Sequence, residues 1–478
     1  MATSLKEKTV KGLIWSSIDR FSSQGIQFVF GLIMARLLVP ADYGVVAMLG
    51  IFLALSQSFI DSGFSTALIQ KINRTEVDFS TVFYFNLVAS VFFYALLWLG
   101  APAIAAFYDM PLLEPVTRVV SLNLVINALS GVQNAKLGIA LDFKTRAKIS
   151  LSVTLFSGIV GISLAYAGYG VWALVVQMVG SALLNTLLLW LFVRWKPQLV
   201  FSWTSFRELF TFGSKLLASG LLDTLYGNLV PLLVGKFYSA TSLGLYSRAL
   251  GLGNYPSSNI TSVIQNVTFP VLSSIQNDDE RLSSGYRRLL RLSVFIIFPL
   301  MVGLSAVADP LVRLVLTDKW EGCIYLLQIL CFSLMWYPVH AINLNLLQVK
   351  GRSDYFLKLE IIKKIFGACV LCVTVPLGLV AMCYGSVFVS MVCLTFNTHY
   401  THRLIGYGFK RQMREMLPVL LHALVMGFIA WSVVQALPTP GMQLLGGILS
   451  GAAYYLLGAW LLRFEELREA LSLLKGRK

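Results

Sequence analysis

Charge is what this sequence has least of. Only 13% of its 478 residues are Asp, Glu, Lys or Arg, against about 25% in an ordinary soluble protein. That scarcity excludes the set of water-soluble domains that the length alone would suggest. Histidine is sparse too, with His340, His399, His402 and His422 only. His399 and His402 have a ligand-like spacing, but no acidic or cysteine partner accompanies them, so they are not read as a metal site. The six cysteines, Cys323, Cys331, Cys369, Cys372, Cys383 and Cys393, all fall in or beside apolar stretches. Cys369 and Cys372 form a CxxC with no second pair, and all six read as small apolar packing residues. There is no Walker sequence, no glycine-rich phosphate loop and no carboxylate pair on a large hydrophilic loop. The chain therefore reads as a non-enzyme without a cofactor, moved by no ATP hydrolysis of its own.

Long apolar runs fill the space that charge leaves. Hydrophobic residues make up 57% of the chain and the mean hydropathy is +0.74. Spans are predicted at about 11–35, 43–67, 79–103, 115–138, 148–167, 170–193, 208–235, 242–268, 290–309, 322–348, 356–376, 379–400, 415–437 and 441–462, each long enough to cross a hydrocarbon core of about 30 Å. The apolar stretch from Gly12 to Val39 is too long for a signal-peptide core and contains Asp19 and Arg20, so it reads as the first membrane helix. The expectation is an all-α polytopic membrane protein of about fourteen helices.

The net charge of +15 does not point to nucleic acid, because the cations sit in short connections between apolar spans. There they report orientation. With the N-terminus inside, only Arg36, Arg118, Lys236, Arg248, Arg313 and Lys319 fall on the outer side, and Arg20 lies within the first span. All other lysines and arginines lie inside, which places both termini in the cytoplasm. The longest inside connection, about 269–289, runs into Arg287, Arg288 and Arg291 and reads as a short helix on the membrane surface.

A weak internal repeat is visible. ARLLVPADYG at 35–44 resembles GKFYSATSLG at 235–244, each with a cation (Arg36, Lys236) at the end of one span and a glycine (Gly44, Gly244) at the start of the next. This pattern suggests two six-helix lobes in parallel repeat, 1–200 and 201–405, with 406–478 as two further helices and a cytoplasmic tail.

Polar side chains inside the spans carry the functional signal, because they are costly in a bilayer and face a cavity or a partner. Ser16, Arg20, Gln24, Gln27 and Gly31 form one stripe on the first helix, with Asp19 beside it. Gln57, Asp61 and Ser65 line up on the second, Asn123, Asn127, Ser130 and Asn134 on the fourth. Lys215, Ser219, Asp223 and Tyr226 do so on the seventh, and Arg248, Tyr255, Asn259, Ser262 and Asn266 on the eighth. The third, fifth, sixth, thirteenth and fourteenth helices show no comparable stripe and read as peripheral. The arrangement suggests a cleft between the lobes lined by helices 1, 2, 7 and 8. Arg20, Gln24, Gln27, Lys215, Arg248 and Asn259 are its candidate binding residues, and Asp19, Asp61 and Asp223 its candidate ion-coupling carboxylates. Arginine suits phosphate, and amides and hydroxyls suit sugar hydroxyls. The same side chains also serve as interhelical glue, and Lys215, Asp61 and Arg248 lie close enough to span ends to snorkel.

Three stretches carry a family resemblance: FIDSGFSTALIQKINRTEVDFSTVFYFNL at 59–87, ARLLVPADYG at 35–44 and NLNLLQVKGRSDYFLKLE at 343–360. In combination, over about residues 5–400, the chain resembles the lipid-linked oligosaccharide flippases of the multidrug/oligosaccharidyl-lipid/polysaccharide exporter superfamily, nearest the colanic-acid and lipopolysaccharide branch. The resemblance implies two six-helix bundles facing each other in a V. It implies transfer of an undecaprenyl-pyrophosphate-linked repeat unit from the cytoplasmic to the periplasmic face of a bacterial inner membrane by alternating access. Arg20 matches by placement a cationic position that holds pyrophosphate in such flippases, and Arg248 matches more loosely. Asp19 and Asp223 stand where drug-exporting relatives bind a coupling proton or sodium ion. A polysaccharide polymerase and a chain-length regulator are the implied protein partners. The alternative, a cation-coupled multidrug exporter, would have a more apolar, aromatic and acidic cavity. A membrane-embedded polymerase or glycosyltransferase would need a larger outside loop than about Ala308 to Cys323, and a mere scaffold would have no use for buried charges.

Reporter fusions test the topology. Fusions at Gly168 and Lys478 are expected to report opposite faces, with Lys478 cytoplasmic; a shared face would overturn the even number of spans.

Overall fold

The computed structural model describes residues 22–474; the side chains of Lys215, Leu216, Ser219, Asn266, Val267 and 470–474 lie outside that description. Every regular element among the described residues is a helix. In hydrocarbon each backbone N–H and C=O needs a partner within the protein, and a helix supplies it locally. Helices occupy the described part of every predicted span. Among the described residues nine are long and apolar enough to cross a membrane alone, ten if Leu113–Ala128 and Gly131–Ala140, bent by 43°, count as one. The predicted spans at 208–235, 242–268 and 356–376 fall in Trp203–Gly227 with Leu229–Phe237, in Ala240–Ser274 and in Ser353–Thr374, whose polar or charged residues keep them outside that set.

The chain forms two compact units, divided after Gly244. Compactness and the sequence repeat therefore cut the chain at different points, since Trp203–Gly227 packs in the first unit against Gly50–Asp61 and Phe64–Gln70. Residues 22–37 lie against Phe143–Tyr166. Ser23 Oγ is 3.0 Å from Ser150 Oγ, and a Cβ on Gly158 would meet the Phe30 ring at 1.9 Å. Phe143–Tyr166 and Val171–Val193 form a close pair. An aromatic core of Phe64, Phe79, Phe83 and Trp195 joins Phe64–Gln70 and the start of Glu76–Phe107 to the end of Val171–Val193.

The start of Glu76–Phe107 is also where charges pair. Thr75 caps Glu76–Phe107, its Oγ1 accepting from the Asp78 amide while Asp78 accepts from Thr75 N, a capping box. Lys71 donates to Asp78 and Glu208 at 3.1 and 2.8 Å. Its burial lowers its proton affinity, but these two bonds outweigh that and hold the ammonium above its usual range. Lys136 and Trp195 Nε1 both reach Glu76, at 2.8 and 2.6 Å. The two halves of the sequence repeat cross each other within the first unit. A Cβ on Gly44 would stand 1.7 Å from the Ala240 carbonyl oxygen, and one on Gly244 would stand 1.8 Å from that of Pro40. The contact is reciprocal, as expected of repeat-related segments meeting about a local axis.

The second unit is built on Asp279–Ala306, Phe409–Ala436 and Pro440–Leu461 and on the pairing of Gly322–Val349 with Leu379–Ile405. Small residues bring these helices close, as membrane packing requires: Gly427 faces Val302, and Gly447 faces Val434 and Val307. The structure corrects the expected surface helix at 269–289. Ala240–Ser274 runs on through most of the predicted connection, and Asp278 caps a 28-residue helix, Asp279–Ala306, that carries Arg287, Arg288 and Arg291. Those arginines are held by Glu415, Glu469, and Glu465 with Glu466, so paired carboxylates replace the membrane surface as their partner. The connection between Ala308 and Cys323 is ordered by Arg313, which bonds Asp309, Asp318 and Glu321 at once. Four cysteines are buried as expected, but Cys369 and Cys372 are exposed and face away from the protein interior.

The glycine crossing gives a stability test. Gly44→Ala drives a methyl into backbone that cannot yield, and such overpacking costs about 1–3 kcal/mol. Gly25→Ala, with nothing within 4 Å of its Cβ, is the matched control. Thermal unfolding of the purified proteins in detergent should show a lowered midpoint for Gly44→Ala only; equal midpoints would disprove the tight crossing.

Candidate functional site

A cavity of about 780 Å³ opens in the first unit. Residues 22–37 contribute Gln27, and Gly50–Asp61 contributes Leu53, Ala54 and Gln57. Leu122–Ala128 and Gly131–Ala140 contribute Asn123, Asn127 and Asn134. Phe143–Tyr166 contributes Arg146, Ser150 and Thr154, and Val171–Val193 contributes Met178, Ser181 and Asn185.

The wall forms because one helix is broken. Between Ala128 and Gly131 the regular hydrogen bonds lapse, and neighbouring side chains take up the freed carbonyls. Trp190 Nε1 donates to Leu129 O at 2.8 Å and Thr186 Oγ1 to Ile126 O at 3.0 Å. The bend keeps Asn123, Asn127 and Asn134 all on the cavity side. Asn123 Oδ1 is buried and has no hydrogen-bond partner among the described residues. Opposite stand Arg146, Ser150 and Thr154, four residues apart and so on one helix face. The Arg146 guanidinium has no hydrogen bond or ion pair to any other described residue. Among the described residues that line the cavity it is the one ionisable group, and none of them is a carboxylate or an aromatic ring.

Carboxamides and hydroxyls each both donate and accept, which suits a guest dense in hydroxyl groups. A single guanidinium adds a planar fork for one phosphate or carboxylate. A volume near 780 Å³ lies in the range of sites that enclose small organic ligands, about 300–1,000 Å³.

The residues singled out in the sequence are placed as follows. Gln27 lines the cavity, and Gln24 is half-buried on the same helix. Gln57 also lines it, and its Nε2 donates to Asp61 Oδ1 at 3.0 Å. Asp61 and Asp223 are exposed on adjacent antiparallel helices of the first unit, whose contact is marked by Ser58 Oγ and Thr224 Oγ1 at 3.1 Å. Arg248 and Asn259 belong to the second unit, where the Arg248 guanidinium stacks over the Trp320 ring at 5.4 Å. Asp19, Arg20 and the Lys215 side chain lie outside the described residues.

Two expectations need correction. Phe143–Tyr166 and Val171–Val193, expected to be peripheral, form a polar wall of the cavity. Arg146, grouped with the loop cations that report orientation, stands in that wall. The signal that finds them is the four-residue spacing of Arg146, Ser150 and Thr154, and of Ser181 and Asn185. Each stripe is short and diluted by Leu, Val and Ile.

Comparison with known proteins agrees with this architecture. The family profile for polysaccharide biosynthesis proteins matches residues 33–325. The lipopolysaccharide biosynthesis protein WzxC of Escherichia coli K12 is 27% identical over 75% of this chain and 74% of its own length. The teichuronic acid biosynthesis protein TuaB of Bacillus subtilis 168 is 26% identical over 73% of each. The succinoglycan biosynthesis transport protein ExoT of Rhizobium meliloti 1021 is 23% identical over the whole chain and 98% of its own. Among solved structures, the lipid II flippase MurJ in an inward closed conformation superposes with a TM-score of 0.78 at 14% identity, over 94% of this chain and 99% of MurJ. An inward-facing multidrug resistance transporter of the MATE family gives 0.62 at 16%, over 79% and 95%. At such identities the structural likeness is one of fold.

Thiol labelling tests the cavity independently of any transport. With Cys369 and Cys372 replaced by serine, Asn127→Cys and Asn185→Cys should react with a small hydrophilic maleimide. Ala173→Cys, at a fully buried position, should not. Failure of both cavity positions to label would show that no water reaches this wall.

Proposed function

The chain belongs to the polysaccharide biosynthesis protein family, and from that premise we propose that it is a flippase for a lipid-linked oligosaccharide. It moves a repeat unit carried on undecaprenyl pyrophosphate from the cytoplasmic to the periplasmic face of the bacterial inner membrane, by alternating access, for surface polysaccharide synthesis. Both termini are cytoplasmic in this reading. A polymerase and a chain-length regulator receive the product, and neither a cofactor nor nucleic acid takes part.

The observation that carries the reading is the lining of the first unit's cavity: among the described residues it offers six carboxamides, hydroxyls and one guanidinium, and no carboxylate or aromatic ring. Organic cations are held by aromatic faces and carboxylates, so the lining speaks against the alternative of a cation-coupled multidrug exporter. It favours a guest that offers many hydroxyls and an anionic group. Arg146, Gln27 and the three asparagines hold that guest on the first unit. Arg20, Gln24, Lys215, Arg248 and Asn259 remain proposed binding residues, and Asp19, Asp61 and Asp223 proposed carriers of a coupling proton or sodium ion.

The test is flux of a lipid-linked oligosaccharide across vesicles containing the purified protein. Hydrogen bonds to charged groups contribute about 1.5–3 kcal/mol, so Arg146→Ala should slow flux by about tenfold or more while the protein accumulates normally. Arg146→Lys should recover part of it, because an ammonium lacks the fork. Arg20→Ala is expected to behave like Arg146→Ala. Unchanged flux in Arg146→Ala would remove this cavity from the pathway, and transport of organic cations in place of the glycolipid would overturn the flippase reading itself.

A further inference from the structure

The second unit contains a polar centre within its apolar helices that the reading above leaves unused. His340, on Tyr337–Val349, has its Nε2 3.1 Å from Ser390 Oγ, and its Nδ1 2.9 Å from Asn397 Nδ2. An amide nitrogen only donates. Nδ1 is therefore the bare nitrogen, and Nε2 carries the proton and donates it to Ser390 Oγ. That hydroxyl in turn donates to Ser333 O at 3.3 Å. Asn397 is 1% exposed, and its Oδ1 is buried with no hydrogen-bond partner among the described residues. An acceptor stranded in this way is costly, and it sits on the same amide group whose nitrogen meets the ring.

We infer that His340 and Asn397 form a proton-binding site inside the second unit, in which the ring takes one proton on Nδ1 as the Asn397 amide turns over. The proton comes from water, one N–H bond forms, and the site gains one positive charge. After the turn Oδ1 accepts from Nδ1–H, and Nδ2 takes the place of the orphaned atom. The number of satisfied amide atoms is unchanged, and the Nε2 bond to Ser390 persists in both states. The ring can thus change charge without losing a hydrogen bond.

The other histidines lack this arrangement. His422 meets a backbone carbonyl, Tyr455 O, at 3.0 Å, and His399 and His402 stand near the end of Leu379–Ile405. Four elements pack against Tyr337–Val349: Asp279–Ala306, Ser353–Thr374, Leu379–Ile405, and Phe409–Ala436 through the bond between Asn343 and Gln412. Among the described residues the charge that acts on the ring is Lys363 of Ser353–Thr374, which opposes a positive charge there, and Lys363 is ion-paired with Glu360 on its own helix. Leu379–Ile405 supplies Ser390 and Asn397, and Asp279–Ala306 supplies no charge that reaches the ring. A second copy of the switch is unnecessary: one titrating ring in one unit suffices to couple a proton to transport. That use of the proton rests on the flippase reading, whereas the binding site itself does not.

Two measurements separate the claims. In protein carrying 15N-labelled histidine, the ring signal lost in His340→Gln identifies His340. It should pass from the neutral Nε2–H form to imidazolium as the pH is lowered over the range in which the protein stays folded, and Asn397→Leu should suppress that change and leave the other ring signals as they were. A His340 ring that stays neutral throughout overturns the site. In vesicles, His340→Gln should retain glycolipid flux but lose its response to an imposed pH gradient. A retained response would deny the His340 proton a part in transport and leave coupling to the proposed carboxylates. Absence of flux in the unaltered protein would count against the flippase reading and leave the ring spectrum to judge the site.

Discussion

The structure depends on one constraint: inside a bilayer, no backbone carbonyl or amide can be left to water. Most of the chain meets it with unbroken helix. The instructive places are those where the helix stops in mid-span, because each needs a side chain, from a neighbouring helix or from the break itself. Trp190 and Thr186 serve the carbonyls of Leu129 and Ile126. Ser257 serves Leu334 O at the break between Gly322–Leu334 and Tyr337–Val349. Asn228 bonds Thr224 O where Trp203–Gly227 gives way to Leu229–Phe237. The Ser62 hydroxyl turns back onto Phe59 O beside the left-handed pair Ser62 and Gly63.

These repairs determine where polar chemistry can reside. A bent helix exposes side chains that a straight one would turn into its neighbours, and the bend between Ala128 and Gly131 directs three asparagines into one space. The break after Leu334 likewise stands one turn before His340. Interhelical hydrogen bonds of this kind are worth only about 0.6 kcal/mol on average in a membrane. Their effect is to fix which face of each helix meets the interior, and so to decide what a guest would touch.

How much of this was legible in the sequence differs by level. Hydropathy located the helices, because a run of about twenty apolar residues has few other meanings. The close crossing at Gly44 and Gly244 was legible as a pair of matched glycines, two positions where only a missing side chain allows backbones to cross. The asparagines of 123–134 were legible because amides at such density are rare in a span. Arg146 was not, since a cation at an inner helix end looks the same whether it reports orientation or lines a cavity. Ser150, Thr154, Ser181 and Asn185 were hidden for a related reason: a two-residue stripe in a helix of Leu and Val has no statistical weight until a facing helix gives it a partner. The connection at 269–289 was misjudged because the arginines were assigned to lipid, while their carboxylate partners lie more than a hundred residues away in sequence.

The cations of the first unit show why partners matter more than positions. Lys71, Lys136 and Lys236 each meet a carboxylate, and Arg118 pairs with Glu114 one turn away. Paired in this way, a cation spends its charge on holding helix ends together and has little left for an anionic guest. Arg146 stands in a wall whose described residues include no carboxylate, so none of them draws on its charge. It is exposed, and its planar fork of donors is open to an anionic group. A cavity that sets such a cation among amides and hydroxyls is suited to receiving an anionic, hydroxyl-rich guest.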